Sequence, residues 1–234
     1  LPDARLVETA AIRVERRSLG LLAGLTETVR IEAMETAAAV FARGLDSLAD
    51  GPGVEIAVTG VAASPNGRMP EIRVRHGLPA SGDGITRRIG SVSSAVYGAP
   101  RFAEGRALPL AQSELAALPW LGYVEAQDHY VTMRWLQARM RGRRPASRLM
   151  RTELIAAAAV TGVGVGVLPQ FLAREWPGLL RLTDPIEELR ADYWAVVHPD
   201  LARSPAIRTV LAWMAGCFRL AEYGATEAAS QPAA

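Results

Sequence analysis

The sequence predicts an α/β protein with parallel or mixed sheets and helices on both faces, on three observations. Short alternating apolar runs recur between helical stretches from residue 29 to residue 222. The stretch Met150 to Arg174 reads as helix, glycine turn, buried strand and the start of another helix. A last strand and helix, after residue 193, are separated from the first group by a middle unit, which leaves room for a discontinuous first domain.

The elements follow in order. Residues 3–25 are charged and Ala-rich with loosely spaced apolar points, and read as helix. Val29, Ile31 and Ala33 share one face of a strand. A helix spans about Thr36 to Ala49, with Val40, Phe41, Leu45 and Leu48 inward and Gly51-Pro52-Gly53 at its end. Val54, Ile56 and Val58 make a second strand. Pro65 and Gly67 weaken any helix in 60–68. Ile72 and Val74 mark a third strand closing at His76-Gly77, followed by a polar loop to Gly84. Thr86 to Tyr97 is strand-like and stops at Gly98-Ala99-Pro100. Gln112 to Leu118 is a short helix and Trp120 to Val124 a strand. Gln127 to Met140 is a helix with Val131, Met133, Leu136 and Met140 as buried positions.

In the stretch from Met150, Thr152 is placed to cap a helix and Glu153 suits its first turn, where the helix dipole favours negative charge. Leu154 to Val160 is apolar almost all round, as in a helix covered on most sides. Gly162 ends it. Val163 to Leu168 is a buried strand, and Pro169 begins the next helix, which runs to Trp176-Pro177-Gly178. Leu179 to Leu182 is extended, and Tyr193 to Val197 is a strand. Ser204-Pro205 starts the last helix, with Ile207, Val210, Leu211, Met214 and Phe218 as its buried stripe. Residues 223–234 read as a disordered tail.

Half of the 234 residues are hydrophobic, enough for a sizeable core. The net charge of +2 makes no case for nucleic acid or an anionic membrane as a direct partner. Cys217 is the one cysteine, so no intrachain disulfide is expected, which fits a reducing cytoplasm. Leu1 to Arg17 is charged throughout and unlike a signal peptide, and the first residue is not Met. The longest apolar run, Leu154 to Leu168, is broken by three glycines and too short to span a bilayer.

Ligands of open α/β sheets sit beyond the carboxyl ends of the strands, where helix N-termini offer free N–H groups. The two best such places are Ala33 to Thr36 and Arg151 to Glu153, with Thr36 and Thr152 as donors. Each Thr also reads as a helix cap, and the roles can coexist. Arg75 and His76 end a strand and suit an anionic ligand; they read equally as a surface pair. His129 and His198 stand alone. Gly162, Gly164 and Gly166 follow a helix rather than a strand, the reverse of a dinucleotide fingerprint. Three scattered His and one Cys give no metal spacing, and Ser93-Ser94 lies in no nucleophile elbow, so neither a cofactor nor an enzyme is expected. The Arg run from 139 to 151 reads as a solvated turn.

The segments VRIEAMET (29–36), VEIAV (54–58), PEIRVRHG (70–77), ITRRIGSVSSAVYGAPRFA (85–103), LPWLGY (118–123), TELIAAAAVTGVGVGVLPQFLA (152–173) and YWAVVHPDLARSPAIRTVLAWM (193–214) together resemble the effector-binding region of LysR-type transcriptional regulators. The resemblance spans about residues 27–222. It implies two Rossmann-like subdomains of the periplasmic-binding-protein type 2 kind, joined by crossovers near Ala95 to Gly98 and Asp192 to Val196. It divides the chain into a linker-helix remnant (1–26), subdomain I (27–95 and 196–222) and subdomain II (96–195), with the tail from 223.

The cleft between the subdomains is expected to hold a small organic effector, with a carboxylate among the candidates. The contacts expected are Met34, Glu35, Thr36, Arg75, His76, Tyr123, Thr152, Glu153 and His198. Many family members carry Ser or Thr where Met34 stands, and Met34 offers only a weak thioether acceptor. DNA is expected to be bound only by a helix-turn-helix outside this sequence. A homodimer or homotetramer is expected, although residues 60–68 depart from the usual interface helix. The competing reading is a two-lobed solute-binding protein for transport.

Overall fold

The computed structural model describes residues 28–59, 69–78 and 84–228, with side chains described to residue 222. The expected helix at 3–25 and the segment 60–68 lie outside these residues. Strand β1 (Thr28–Ala33) leads into helix α1 (Glu35–Ala42), and β2 (Gly53–Val58), β3 (Ile72–His76) and β4 (Ile85–Val92) follow. With β10 (Ala191–Val197) they form a five-stranded sheet in the order β2-β1-β3-β10-β4. β1 runs parallel to β2 and β3, and β10 runs antiparallel to β3 and β4. Val29, Ile31, Ile72, Val74, Tyr193 and Ala195 bury one face of this sheet against α1 and against α6 (Pro205–Ala228).

The second half builds its own core. β5 (Ser94–Gly98) lies between β8 (Gly166–Pro169) and β9 (Leu180–Arg181), antiparallel to both. β6 (Leu121–Tyr123) and β7 (Ser147–Leu149) run parallel, and a bridge from Trp120 to Val165 joins this pair to β8. Helices α2 (Gln112–Ala117), α3 (Val131–Met140) and α4 (Thr152–Val160) cover the sheet. Trp120 is fully buried, its indole N–H donates to Leu115 O at 3.0 Å, and its ring meets Trp135 edge-on. The short α5 (Gln170–Ala173) reaches back: Phe171 and Leu172 belong to the first core, and Arg174 donates to Ala221 O at 2.8 Å.

The chain crosses between the sheets at Ser93, the single residue separating β4 from β5, and returns at Arg190, just before β10. Both crossovers precede their expected positions. Ala95, Val96 and Tyr97 all pack in the second core, so the switch comes before them. On the return, Ala191 already pairs with Val92.

Other expectations change with tertiary context. The helix expected to run to Ala49 stops at Ala42 and resumes as a 3-10 turn, Leu45–Leu48. There the Trp213 indole N–H takes Gly44 O at 2.8 Å, and Leu45 is left exposed. Val131 starts its helix and is exposed, as is Leu154, so α4 is covered on one side only. Pro169 ends β8 in an extended conformation rather than starting the next helix, and α5 stops at Ala173 instead of reaching Trp176. Helix α6 continues through Ala228, into the part read as a tail. Gly162 ends the α4 segment at φ +82°, as the sequence predicts. The stripe Ile207, Val210, Leu211, Met214 and Phe218 is buried throughout.

The contact between α6 and β4 depends on Gly90, where any added Cβ would overlap Phe218. Gly90→Ala is expected to destabilise the protein by about 1–3 kcal/mol, the usual cost of overpacking a close contact. Urea unfolding monitored by circular dichroism checks this, and an unchanged midpoint would show that α6 does not rest on the sheet there.

Candidate functional site

The carboxyl ends of β1 and β7 deliver helices α1 and α4 to one place. Met34 is the N-cap of α1 and Glu35 its first residue; Arg151 is the N-cap of α4, with Thr152 and Glu153 following. Neither cap residue makes a side-chain capping bond, so Thr36 and Thr152 are helical residues, not the caps expected. Arg151 Nη1 lies 4.0 Å from Glu35 Oε1, which brings the two lobes together at their helix N-termini.

Both threonines are engaged within their own surroundings. Thr152 is buried, and its Oγ1 shares a 2.8 Å hydrogen bond with the Tyr123 hydroxyl. Thr36 lies near the Tyr193 hydroxyl. Burial pushes both phenols up to about 12, against the lowering effect of the neighbouring threonines, so both are neutral in ordinary buffers. Tyr123 and Tyr130 pack edge-on at 5.6 Å, and Arg148 ties Tyr123 O to Asp128. The Thr152 side chain is therefore a spoken-for support, and the α4 backbone N–H groups are what it presents.

Glu35 occupies that end of α4. Burial, and after it the nearby Glu153 carboxyl, pushes its carboxyl up to about 7. Arg151 and the Thr152 N–H pull the other way. Its Oε1 is buried and makes no hydrogen bond.

The remaining candidates divide. Arg75 Nη1 lies 3.4 Å from Glu32 Oε1 and Arg73 Nε 3.7 Å from Glu32 Oε2, so the Arg75 charge is already answered. His76 is exposed at the end of β3 and packs near Tyr193, ring to ring at 6.0 Å. His198 is placed elsewhere: Tyr193 pairs with His76 but Val197 pairs with Ile72, so β10 carries His198 to the opposite end of the strands. There it faces Asp200 at 3.6 Å. Sequence reasoning missed Tyr193 and Glu32, whose partners are distant in sequence. Glu32 and Arg73 sit side by side in the β1–β3 register, which alternation alone does not disclose. Among the described residues no group of three or more His, Cys, Asp or Glu is placed to hold a metal ion. No helix of the described residues is long and apolar enough to cross a membrane.

Comparison with known proteins agrees with this architecture. The family profile described as LysR substrate binding domain matches residues 23–218. The chain belongs to this LysR family. The LysR domain has the periplasmic-binding-protein type 2 fold, and solved members superpose on this chain. The regulatory domain of CrgA, a LysR-type transcriptional regulator from Neisseria meningitidis, is 16% identical with a TM-score of 0.60, over 82% of this chain and 98% of that one. Full-length AphB, a Vibrio cholerae virulence activator, is 18% identical with a TM-score of 0.57, over 91% and 75%. A C206 mutant of Corynebacterium glutamicum OxyR is 17% identical with a TM-score of 0.62, over 99% and 77%. No curated protein matches the sequence.

The raised Glu35 carboxyl sets a sign for stability. The folded LysR domain holds this proton more tightly than the unfolded chain does. The associated stability is therefore full below about pH 4.5 and lost as pH rises through about 7. Glu35→Gln removes this dependence. The melting temperature of the variant, relative to the parent, is expected to be higher at pH 8 than at pH 5. Paired thermal melts at the two pH values check it; an equal offset at both would place the titration elsewhere.

Proposed function

We propose that this chain is the effector-sensing region of a LysR-type transcription regulator and binds a small organic molecule between its lobes. The observation that supports this most is the convergence of α1 and α4, helices of two separate cores, with Arg151 4.0 Å from Glu35. Helix N-termini present unpaired N–H groups and a favourable field for negative charge. A carboxylate-bearing effector would take the place of the Glu35 carboxyl, against Arg151 and the α4 amides. Met34, half-buried at the α1 cap, supplies an apolar wall rather than a hydroxyl donor.

In this reading subdomain I comprises the five-stranded sheet with α1 and α6, and subdomain II the elements between the crossovers. No catalytic step is assigned. The domain is cytoplasmic and reports effector occupancy to a DNA-binding unit outside this sequence. It does so because the effector binds one arrangement of lobes or protomers better than the other. Self-association through a dimer or tetramer is part of the proposal. Its support is the exposed Met150 and Leu154 beside α4 and the free edge of β2, which pairs only with β1 among the described strands.

A thermal-shift screen of small carboxylates, amines and neutral metabolites tests the site. A ligand at one hundred times its Kd stabilises by about 2.7 kcal/mol. Arg151→Ala is expected to weaken an anionic hit about tenfold or more, and Met34→Trp to abolish binding by filling the gap. A hit whose affinity survives both changes binds somewhere else and overturns the assignment.

A further inference from the structure

We propose that the exposed side of α3 and the turn that follows it bind the phosphate backbone of duplex DNA through Arg134, Arg141, Arg143 and Arg144. The proposal rests on reading the chain as part of a regulator that meets DNA, and adds a second place of contact on this chain itself. Residues 131–151 hold seven arginines and no Asp or Glu. Outside them acids outnumber bases, so the small net charge of the whole chain conceals an uneven distribution. The sequence alone reads this run as a solvated turn, but the structure sorts its arginines. Arg139 meets Glu188 at 3.3 Å and stacks over the Trp135 ring, Arg148 meets Asp128 at 2.8 Å, and Arg151 lies 4.0 Å from Glu35. Arg134, Arg141, Arg143 and Arg144 are exposed and take no ion pair among the described residues.

These four charges fall on one continuous surface. Arg134 and Arg141 are two helical turns apart on the same side of α3, about 10 Å along its axis. Gln137 and Ala138, between them on that side, are exposed too. Arg143 and Arg144 follow in the turn closed by the bond from Arg143 N–H to Met140 O at 3.0 Å. A helix C-terminus attracts cations, which accounts for one of these arginines and not for four. Arg141 carries a cost of its own. It is the one non-glycine residue at positive φ among those described, at φ 48° and ψ 50°, where a side chain crowds its own backbone. Glycine suits such a position without penalty. An arginine held there without a partner points to a use outside the fold.

Duplex backbone is the anion this surface fits. It offers a row of phosphates to a convex face, and it is met by several separate cations rather than by one enclosed pocket. The one aromatic ring of α3, Trp135, is buried, so the helix offers no stacking platform for single strands. Arginines that reach only phosphates carry no sequence preference. A DNA-binding unit in the same protein would hold the duplex close, so that individually weak contacts act intramolecularly.

Fluorescence anisotropy of a short labelled DNA duplex, titrated with the full chain in the absence of any effector, tests this. Binding is expected at 50 mM salt and should weaken about a hundredfold by 200 mM, as four phosphate contacts require. A duplex of scrambled sequence should bind equally, and a single strand of the same length more weakly. Arg143→Ala combined with Arg144→Ala should weaken binding about tenfold or more and reduce the slope of log affinity against log salt by about 2. Arg141→Gly should also weaken binding, with a melting temperature no lower than the parent's. Arg203→Ala, Arg208→Ala and Arg219→Ala together remove exposed arginines at and before α6 and should leave the affinity unchanged. No binding at 50 mM salt, an affinity that survives the Arg143 and Arg144 changes, an equal loss in the α6 set, or tighter binding of the single strand would each overturn the proposal. The first of these would assign the arginines to an acidic protein surface or to solvent. If a variant fails to fold by circular dichroism, hydrogen exchange of the parent decides: the duplex should slow exchange within residues 131–146 and not along α6. No effector takes part, so failure here leaves the effector site to be judged by its own screen.

Discussion

Two neighbouring strands of one sheet carry the chain out of the first lobe and back into it. β4 leaves through Ser93 into β5, and β10 enters immediately after Arg190, with Ala191 paired to Val92. The two passages are thus held side by side by main-chain hydrogen bonds, and Arg190 reinforces them by donating to Ser91 Oγ at 3.0 Å. Everything between them must build a second core, because the first sheet is already closed on its α1 and α6 face. The two cores are thus joined by a pair of adjacent connections and by α5, whose Phe171 and Leu172 pack in the first core.

That constraint explains what the sequence discloses and what it hides. Strands with one buried face declare themselves by alternation, so Val29 to Ala33 and Ile72 to Val74 are read correctly. Helix boundaries depend on distant partners. Nothing near Gly44 announces that the Trp213 indole will take its carbonyl and turn the chain. The apolar runs around Leu45, Val131 and Leu154 look buried because local pattern cannot say which side a neighbouring element will cover.

The meeting of the two helix starts was legible where a general rule applies, and other placements were obscure where register decides. The rule that ligands gather beyond strand carboxyl ends picks out Met34 to Thr36 and Arg151 to Glu153, and the fold brings these two places together. His198 goes to the far end of the strands because β10 runs antiparallel to β3, a direction invisible in a short apolar run. Thr152 shares its hydroxyl with Tyr123 and Thr36 lies near Tyr193, neighbours brought together from distant parts of the chain. No spacing in the chain signals them.

Glu35 and Glu153 show how locally consistent choices create a conflict between lobes. An acid in the first turn of a helix is favoured by the dipole, so each is well placed on its own helix. When the two N-termini meet, that same preference brings the Glu153 charge to bear on Glu35, with Arg151 4.0 Å from Glu35. A fold under selection for stability alone would be expected to replace one acid by a neutral partner. Local rules that agree separately and disagree on assembly mark places where something other than stability shapes the sequence. Here the conflict lies where the first turns of α1 and α4 meet, on helices that belong to separate cores.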